Sequence, residues 1–378
     1  MTESAGTSPE VEQVDVLVVG GGIVGAAAAR SLAQSGRSVV LIEKSERGHA
    51  LGSSHGASRI FRQGYTQDDY IALTQRALAL WRELEREAGA PLLEQTGAID
   101  HGDPVAVRAI GDALERNGIG HEWLTPADAG ARWPGFRFTT PVLFSPSSGR
   151  LNSAAALEAF CSGAEAAGAD LRFGVEAGGI HPTDDGSAVL VDTTDGVIRA
   201  RQAVLAVGSW APALVGDLAR AAGRALPDVV VTQEQPAHFR SIVPEESWPS
   251  FVEYLPNGHT IYGLVTPGEG VKVGEHGTGT VVDPDVRDFA AEPTALARLQ
   301  AYVRDNLPGA DHTAPAPISC LYDTTPTEDF VLDRIGPVTI ATGFSGHGFK
   351  FAPVLGELIT ALVSGEPAHP RFALRPPG

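Results

Sequence analysis

Two groups of residues at opposite ends of the chain have types and spacings that could do chemistry. Gly20, Gly22 and Gly25 form a G-x-G-x-x-G pattern within DVLVVGGGIVGAAAARSLAQSGRSVVLIE, residues 15–43. Glycine there permits a tight turn, close approach of backbone to a pyrophosphate, and close helix–strand contact, each of which a Cβ would obstruct. The helix that follows offers free N–H groups and its positive dipole end to phosphates. Glu43 closes the next strand, where a carboxylate can accept hydrogen bonds from a ribose. At the far end, CLYDTTPTEDFVLDRIGPVTIATGFSGHGFKF, residues 320–351, holds Cys320, one of two cysteines, and Lys350, one of three lysines. A dinucleotide turn at one end and a thiol ahead of a glycine-rich run at the other point to a flavin. Its adenylate end would sit near the N-terminus and its ring near the C-terminal block, within reach of Cys320.

Lysine usage sharpens the search. Of 28 basic side chains only Lys44, Lys272 and Lys350 are lysines. A codon or lineage bias explains the excess of arginine most simply, yet a retained lysine also suits a place that needs a compact charge. Lys44 ends the second strand, either touching the adenosine side or solvated. Lys272, in VKVGEH, alternates with apolar residues and is expected to point opposite to Val271 and Val273. Cys161 lies on the apolar face of AAALEAFCSGA and reads as a small buried hydrophobe.

The elements that must position these residues can be read from periodicity. DVLVV and SVVLIE are buried strands around a small-residue helix ended by Gly36. Helical spacing predicts helices over 70–89, 104–117, 153–168 and 293–306, and again in VLGELITALVSG. Alternating strands run from residue 171 to the second glycine turn at Gly208, and a β-rich stretch covers about 228–280. The fold class expected is α/β: a Rossmann-type FAD-binding domain interleaved with a β-rich (α+β) substrate domain. The first takes 14–90, 146–225 and 316–378, the second 91–145 and 226–315, after a disordered lead-in at 1–13.

A net charge of −18 argues against a nucleic-acid surface or docking on anionic lipid. Two cysteines make neither a disulfide framework nor a zinc site, so no metal is expected. The polar, acidic start is no signal peptide, and no apolar run reaches the length of a membrane helix. These features lead to the expectation of a cytoplasmic enzyme.

GSSHGASRIFR at 52–62, WPGF at 133–136, the segment from Tyr262 to His276, Cys320-Leu321-Tyr322 and GFSGHGFKF at 343–351 occur together and in order. They resemble the monomeric sarcosine oxidase and N-methyltryptophan oxidase family, within the D-amino-acid-oxidase-like flavoproteins. The resemblance implies FAD joined by a thioether from Cys320 to the flavin's benzenoid methyl group. It places His55 and Arg59 against the ring, Val175 and Gly208 in the cofactor site, and Gly346 and Gly348 at the pyrimidine edge. Arg62 and Lys350 would grip a substrate carboxylate, while Tyr322, Tyr262 and His276 would line the substrate cavity. Lys272 would be the cation that activates oxygen. For Arg59 and Arg62, three apart, either a shared helical face or simple exposure is open.

The implied activity is oxidation of a small amine carrying a carboxylate, secondary or N-methylated, with hydride passing to flavin, an imine as product, and O₂ reduced to hydrogen peroxide. The family pattern implies a monomer. Three acids depart from that pattern, Glu269, Glu275 and Asp323, and are expected around the amine pocket, where they bear on which amine is taken. Alternatives are a cyclic imino-acid oxidase, acting on a piperidine carboxylate for instance, or a glycine or D-amino-acid oxidase. A non-catalytic flavoprotein or an NAD-binding regulatory protein stands as the reading from another class.

Overall fold

In the computed structural model, which describes residues 11–376, strand Glu12–Val19 is the pivot of an eight-stranded mixed sheet. It pairs in parallel with Val39–Glu43 on one side and Gly196–Leu205 on the other. Asp170–Phe173 and Val338–Thr342 extend the parallel portion beyond these two strands. Parallel strands need crossovers, and helix Ile23–Gln34 supplies the first. Its alanines are small enough for helices Ser153–Ala166 and Ala352–Val363 to pack closely against it. Glu12 and Gln13 belong to the first strand, paired with Ile198 and Arg199. The chain is thus ordered from within the stretch expected as a lead-in, and residues 1–10 lie outside the described residues.

A second eight-stranded sheet runs Ala316–Pro317, Ala237–Phe239, Gly270–Glu275, Thr260–Thr266, Ser250–Tyr254, Ala98–Gly102, Val142–Ser145 and Glu122–Leu124. One face buries Phe251, Ile261, Val271 and Val273 against helix Pro293–Asn306, in a core separate from those flanking the first sheet. Strand Cys320–Thr324 pairs antiparallel with Val230–Glu234 in a smaller sheet, setting Cys320 opposite Glu234. A further small sheet pairs Ser58–Phe61 with Gly149–Asn152.

Periodicity locates the helices within a few residues: they run Asp68–Ala88, Pro104–Arg116, Ser153–Ala166, Pro293–Asn306 and Ala352–Val363. Asn152 caps the third, accepting the Ala155 N–H at 3.0 Å. Helices Pro126–Arg132 and Ala211–Ala221 were not expected. The first is only seven residues long, and the second follows the glycine turn at Gly208 directly, where the strand pattern masks it. Among the described residues no helix is long and apolar enough to cross a membrane, and no cluster of His, Cys, Asp or Glu is placed to hold a metal.

Candidate active site

The glycine turn is built as its spacing requires. Gly20 has φ +103°, and a Cβ there would stand 2.4 Å from the Ala206 carbonyl oxygen. A Cβ on Gly25 would come within 1.8 Å of the Gly20 oxygen, so strand and helix touch through bare backbone. Gly22 caps the helix with no side chain of its own, and Ser54 Oγ accepts the Ile23 N–H at 3.0 Å. Glu43 is 8 % exposed and accepts the Gly21 N–H at 2.7 Å and the Ser45 N–H at 2.9 Å. Burial opposes its charge, but these N–H groups and His49 hold its carboxyl below the usual range.

A cavity of 670 Å³ begins at this turn and continues to the C-terminal block. Val175, Gly208 and Lys44 wall the nucleotide end; Arg59, Lys272, Cys320, Gly346 and Gly348 wall the far end. Lys44 already has a protein partner, donating to Asp285 Oδ1 at 2.6 Å with its ammonium 4.2 Å from the Trp210 ring centre.

Arg59 and Arg62 share no helical face. The segment Ser58–Phe61 is a strand, and the two side chains take different surroundings. Arg59 folds back on the loop before it, donating to the carbonyls of Ser58 and Ser53, each at 2.8 Å. Arg62 lies beyond the strand, donates to the Gly64 carbonyl and to Tyr254 Oη at 3.3 Å, and stands 3.8 Å from Asp100 Oδ1. Its guanidinium covers the Tyr65 ring at 4.7 Å. Lys350 reaches the same corner from the one-turn helix Phe349–Phe351, donating to Tyr65 Oη at 2.9 Å and the His347 carbonyl at 2.7 Å. Burial and the nearby Arg62 charge hold its ammonium well below the usual lysine range.

Lys272 sits on a central strand between Ala237–Phe239 and Thr260–Thr266, not at an edge. Val271 and Val273 face the apolar core while Lys272 turns into the cavity, only 6 % exposed. Burial, assisted by Arg59, pushes it down to about 7. His55 is pushed down to about 4 by burial and by Arg59, Lys272 and Arg287, so its ring is neutral, and its buried Nε2 has no partner. Cys320 is 8 % exposed on the cavity wall. Cys161, by contrast, is 1 % exposed inside its helix, and burial pushes its thiol up to about 11, as suits an inert packing residue.

Tyr322 and Tyr262 both line the cavity, and the His276 ring centre lies 5.3 Å from that of Tyr322. Gly346, at φ +73°, leaves room for Tyr322: a Cβ would come within 2.3 Å of its ring. A Cβ on Gly348 would meet Phe344 at 2.7 Å.

The three departing acids do not surround the pocket with charge. Glu275 turns outward to Arg298, 2.6 Å away, and Glu269 faces His238 at 3.3 Å. Asp323 directs its carboxylate to the Gly343 N–H at 2.9 Å and Thr342 Oγ1 at 3.2 Å, bracing the glycine run from beneath. Burial raises it to about 6 despite these donors. Glu275, three positions after Lys272 on one strand, faces the other way from it, whereas Glu269 stands in the turn before that strand and Asp323 borders the cavity with its carboxylate taken up by the glycine run.

Sequence reasoning missed Asp100, Tyr254, Tyr65 and Glu328. Asp100 is 1 % exposed and accepts Tyr254 Oη at 3.1 Å. The available signal was a lone acid in the apolar strand AIDHG, since such an acid is seldom buried without a partner. Glu328 stands at the mouth with φ +59°, its carboxylate 3.6 Å from His276 and its carbonyl 3.0 Å from His347 Nε2.

The bare-backbone turn and the continuous cavity suit a long dinucleotide cofactor; His55, unlike Arg59, does not line that cavity. Comparisons with known proteins agree. The profile of the DAO family, described as FAD dependent oxidoreductase, matches residues 15–362. N-methyl-L-tryptophan oxidase of Citrobacter koseri is 32 % identical over 372 residues, covering 96 % of this chain and 97 % of the relative. Monomeric sarcosine oxidase of a Bacillus species is 32 % identical over 379 residues, with 94 % of each chain covered. The open form of NikD, an amino acid oxidase essential for nikkomycin biosynthesis, superposes with a TM-score of 0.83 at 27 % identity, covering 97 % of this chain and 98 % of that one.

Proposed function

Because the chain belongs to the DAO family of FAD-dependent oxidoreductases, we propose that it oxidises a small secondary or N-methylated α-amino acid, with O₂ as acceptor. The observation that carries the reading is one cavity in which half-buried Arg62 and buried Lys350 lie together at one corner while Lys272 and Cys320 line the same space. Bound FAD would take the hydride from the substrate carbon, leaving an imine that water hydrolyses, and return the electrons to O₂ as hydrogen peroxide. Gly20, Gly22, Gly25 and Glu43 would hold its nucleotide half, with Val175 and Gly208 beside them. Arg59, Gly346, Gly348 and Cys320 would hold its ring.

The roles of the chain's own residues follow from charge and shape. Arg62 offers a planar fork to a carboxylate and Lys350 a point charge, so together they fix the substrate's orientation. Tyr262, Tyr322 and His276 close the cavity around the amine end. Backbone N–H groups at Gly346 and Gly348 would favour negative charge on a flavin ring held beside them.

Anaerobic mixing with sarcosine, N-methyltryptophan, pipecolate, proline and glycine tests the reading. Bleaching of the flavin by an N-methyl amino acid, reversed by air with peroxide formed, is the expected result. A protein bleached by none of them, or only by glycine, overturns the substrate class. The likeness to NikD supports a second reading, a specialised amino acid oxidase of a biosynthetic route, for which pipecolate is the diagnostic member of the panel.

Two further outcomes follow. The substrate must lose its ammonium proton before the nitrogen lone pair can drive hydride loss, so the rate of flavin reduction at low substrate rises with pH. A flat profile from about pH 6 to 9 contradicts that requirement. The thioether is tested by Cys320→Ser, which should bind FAD yet release all of it on acid precipitation, while the parent pellet stays yellow. Colour retained in the variant's pellet places the link elsewhere.

A further inference from the structure

The cavity face of the second large sheet carries more than Lys272. Ala237, Phe239, Ile261, Val265, Val271 and Val273 point into the apolar core. Alternation therefore turns His238, Tyr262, Leu264, Thr266 and Lys272 to the opposite face. In register, Lys272 stands between His238 on one neighbouring strand and Leu264 on the other, each strand about 5 Å away. Ser58, from the small sheet, meets this face at Thr266 and lines the cavity together with Lys272.

Four side chains here are joined in series. Ser58 Oγ lies 2.5 Å from Thr266 Oγ1, Thr266 Oγ1 lies 3.1 Å from His238 Nε2, and that nitrogen lies 3.3 Å from Glu269 Oε2. Ser58, Thr266 and His238 are buried, whereas Glu269 is half exposed. The turn that carries Glu269 is held in place. Its N–H donates to the Thr266 carbonyl at 2.9 Å, and Gly270, at φ +96°, backs onto the Phe239 carbonyl. Burial and the Lys272 charge push the His238 ring down to about 4, so it is neutral at rest. The charged groups around it are Lys272 on one adjacent strand, Glu269 in the turn, and Arg59 next to Ser58 in the chain. The other adjacent strand, Ala316–Pro317, brings none. Buried hydroxyls and a buried imidazole must find hydrogen-bond partners. Finding them in one another, end to end from cavity to surface, also opens a route for a proton.

Turnover needs such a route. Reduction of O₂ to hydrogen peroxide takes up two electrons and two protons. A hydride accounts for both electrons and one proton, so the second proton is drawn from solvent. Lys272 can hand one over only if it is then refilled, and it too is buried. We propose that Glu269, His238, Thr266 and Ser58 conduct that proton from the surface into the cavity beside Lys272. The inference rests on the reading above that O₂ is the acceptor. A proton entering through the Glu269 carboxyl passes to His238 Nε2, and the carboxylate left behind stabilises the imidazolium. The Nε2 proton then moves to Thr266 Oγ1, the Thr266 hydroxyl proton to Ser58 Oγ, and the Ser58 proton into the cavity. One proton enters, one leaves, no electrons move, and the ring returns to its neutral form.

Holoenzyme reduced by light, with no substrate present, is mixed with O₂ in the parent, Thr266→Val and Thr266→Ser. Thr266→Val cuts the series in the middle and should slow reoxidation about 10²-fold, the lower end of what a positioned proton donor supplies. Imidazole buffer, an acid small enough for the cavity, should restore much of the lost rate. Thr266→Ser keeps the hydroxyl and should retain most of it. A Thr266→Val protein that matches the parent overturns the proposal. Slowing that neither imidazole nor serine relieves makes Thr266 a packing residue and overturns it equally. Should Thr266→Val fail to fold, Ser58→Ala takes its place, cutting the series at the cavity end. A parent that does not react with O₂ fails the oxidase reading, and this inference with it. The apoprotein gives a check that needs no turnover. In ¹⁵N NMR spectra of its histidine rings, the His238 Nε2 signal should shift in both Thr266→Val and Glu269→Gln. A signal indifferent to either substitution breaks the series at that link and overturns the proposal, however slow Thr266→Val proves to be.

Discussion

Replacing Lys272 by methionine is expected to slow reoxidation of the reduced protein by O₂ about 10²- to 10³-fold, the scale for losing one preorganised electrostatic contact at a reacting centre. Reduction by substrate should stay near its original rate. The asymmetry arises because the first electron to reach O₂ makes an anion, and a fixed cation beside it is needed only then. Lys272 is suited to that moment. Its strand is central, its neighbours Val271 and Val273 are locked in the core, and the side chain is 6 % exposed in the cavity. Methionine conserves most of the volume, so packing is preserved while the charge goes. Stopped-flow measurement of each half-reaction checks this. Equal slowing of both would mean that the residue only shapes the pocket.

The same lysine leaves a mark on stability. In the empty protein its folded pKa, about 7, lies below the ordinary value near 10.4 of an unfolded chain. Between those values the unfolded state binds more protons, so the apoprotein gains stability as pH rises through that window. Below it the penalty is present in full. Apoprotein carrying Lys272→Met should lack this part of the slope. An unchanged slope in thermal midpoints across the window would show that the ammonium is better solvated than its burial implies.

How much of this could be read in advance depended on how local the determinants are. The glycine turn and Glu43 were legible because strand, turn, helix and strand follow one another in one unit, and Gly20, Gly22 and Gly25 answer a backbone demand. Lys272 was legible because alternation in VKVGEH fixes its side. The spacing of Arg59 and Arg62 decided nothing, since three residues can be a helical repeat or a change of face on an extended segment. Glu275 misled by nearness in sequence to a cavity residue, although that same nearness on a strand turns it away; Glu269 belongs to a turn, and Asp323 borders the cavity with its carboxylate taken up by Gly343 and Thr342. Asp100 and Tyr254 were out of reach because their meaning comes from partners distant in the chain: Arg62 and Tyr254 are 192 positions apart. No periodicity encodes such a meeting.

Arg62→Ala is expected to weaken a carboxylate inhibitor by about 1.5–3 kcal/mol, the worth of a hydrogen bond to a charged group, or roughly ten- to a hundredfold in Kd. Pyrrole-2-carboxylate titrated against the flavin spectrum reads this directly, and unaltered binding would refute the clamp. The variant should also be less stable, because Arg62 has a second tie. It lies 3.8 Å from Asp100, which is 1 % exposed and bonded to Tyr254. Burial already raises the Asp100 carboxyl above its usual range, and Arg62 and Tyr254 oppose the rise. Without Arg62 it rises further, and a buried carboxylate stripped of its partner costs about 3–5 kcal/mol. Above the ordinary aspartate pKa and up to the raised one, the folded state then binds a proton that the unfolded state does not. Stability is therefore lost as pH rises through that window and returns as pH falls. Arg62→Ala should show its largest deficit in thermal midpoint at alkaline pH and a smaller one in mild acid. Asp100→Asn placed on top of it should remove the pH dependence and restore much of the midpoint, while leaving inhibitor binding weak. Recovery of binding together with stability would mean that Arg62 acts by shaping the corner around Asp100, and that the substrate carboxylate is held by Lys350 without it.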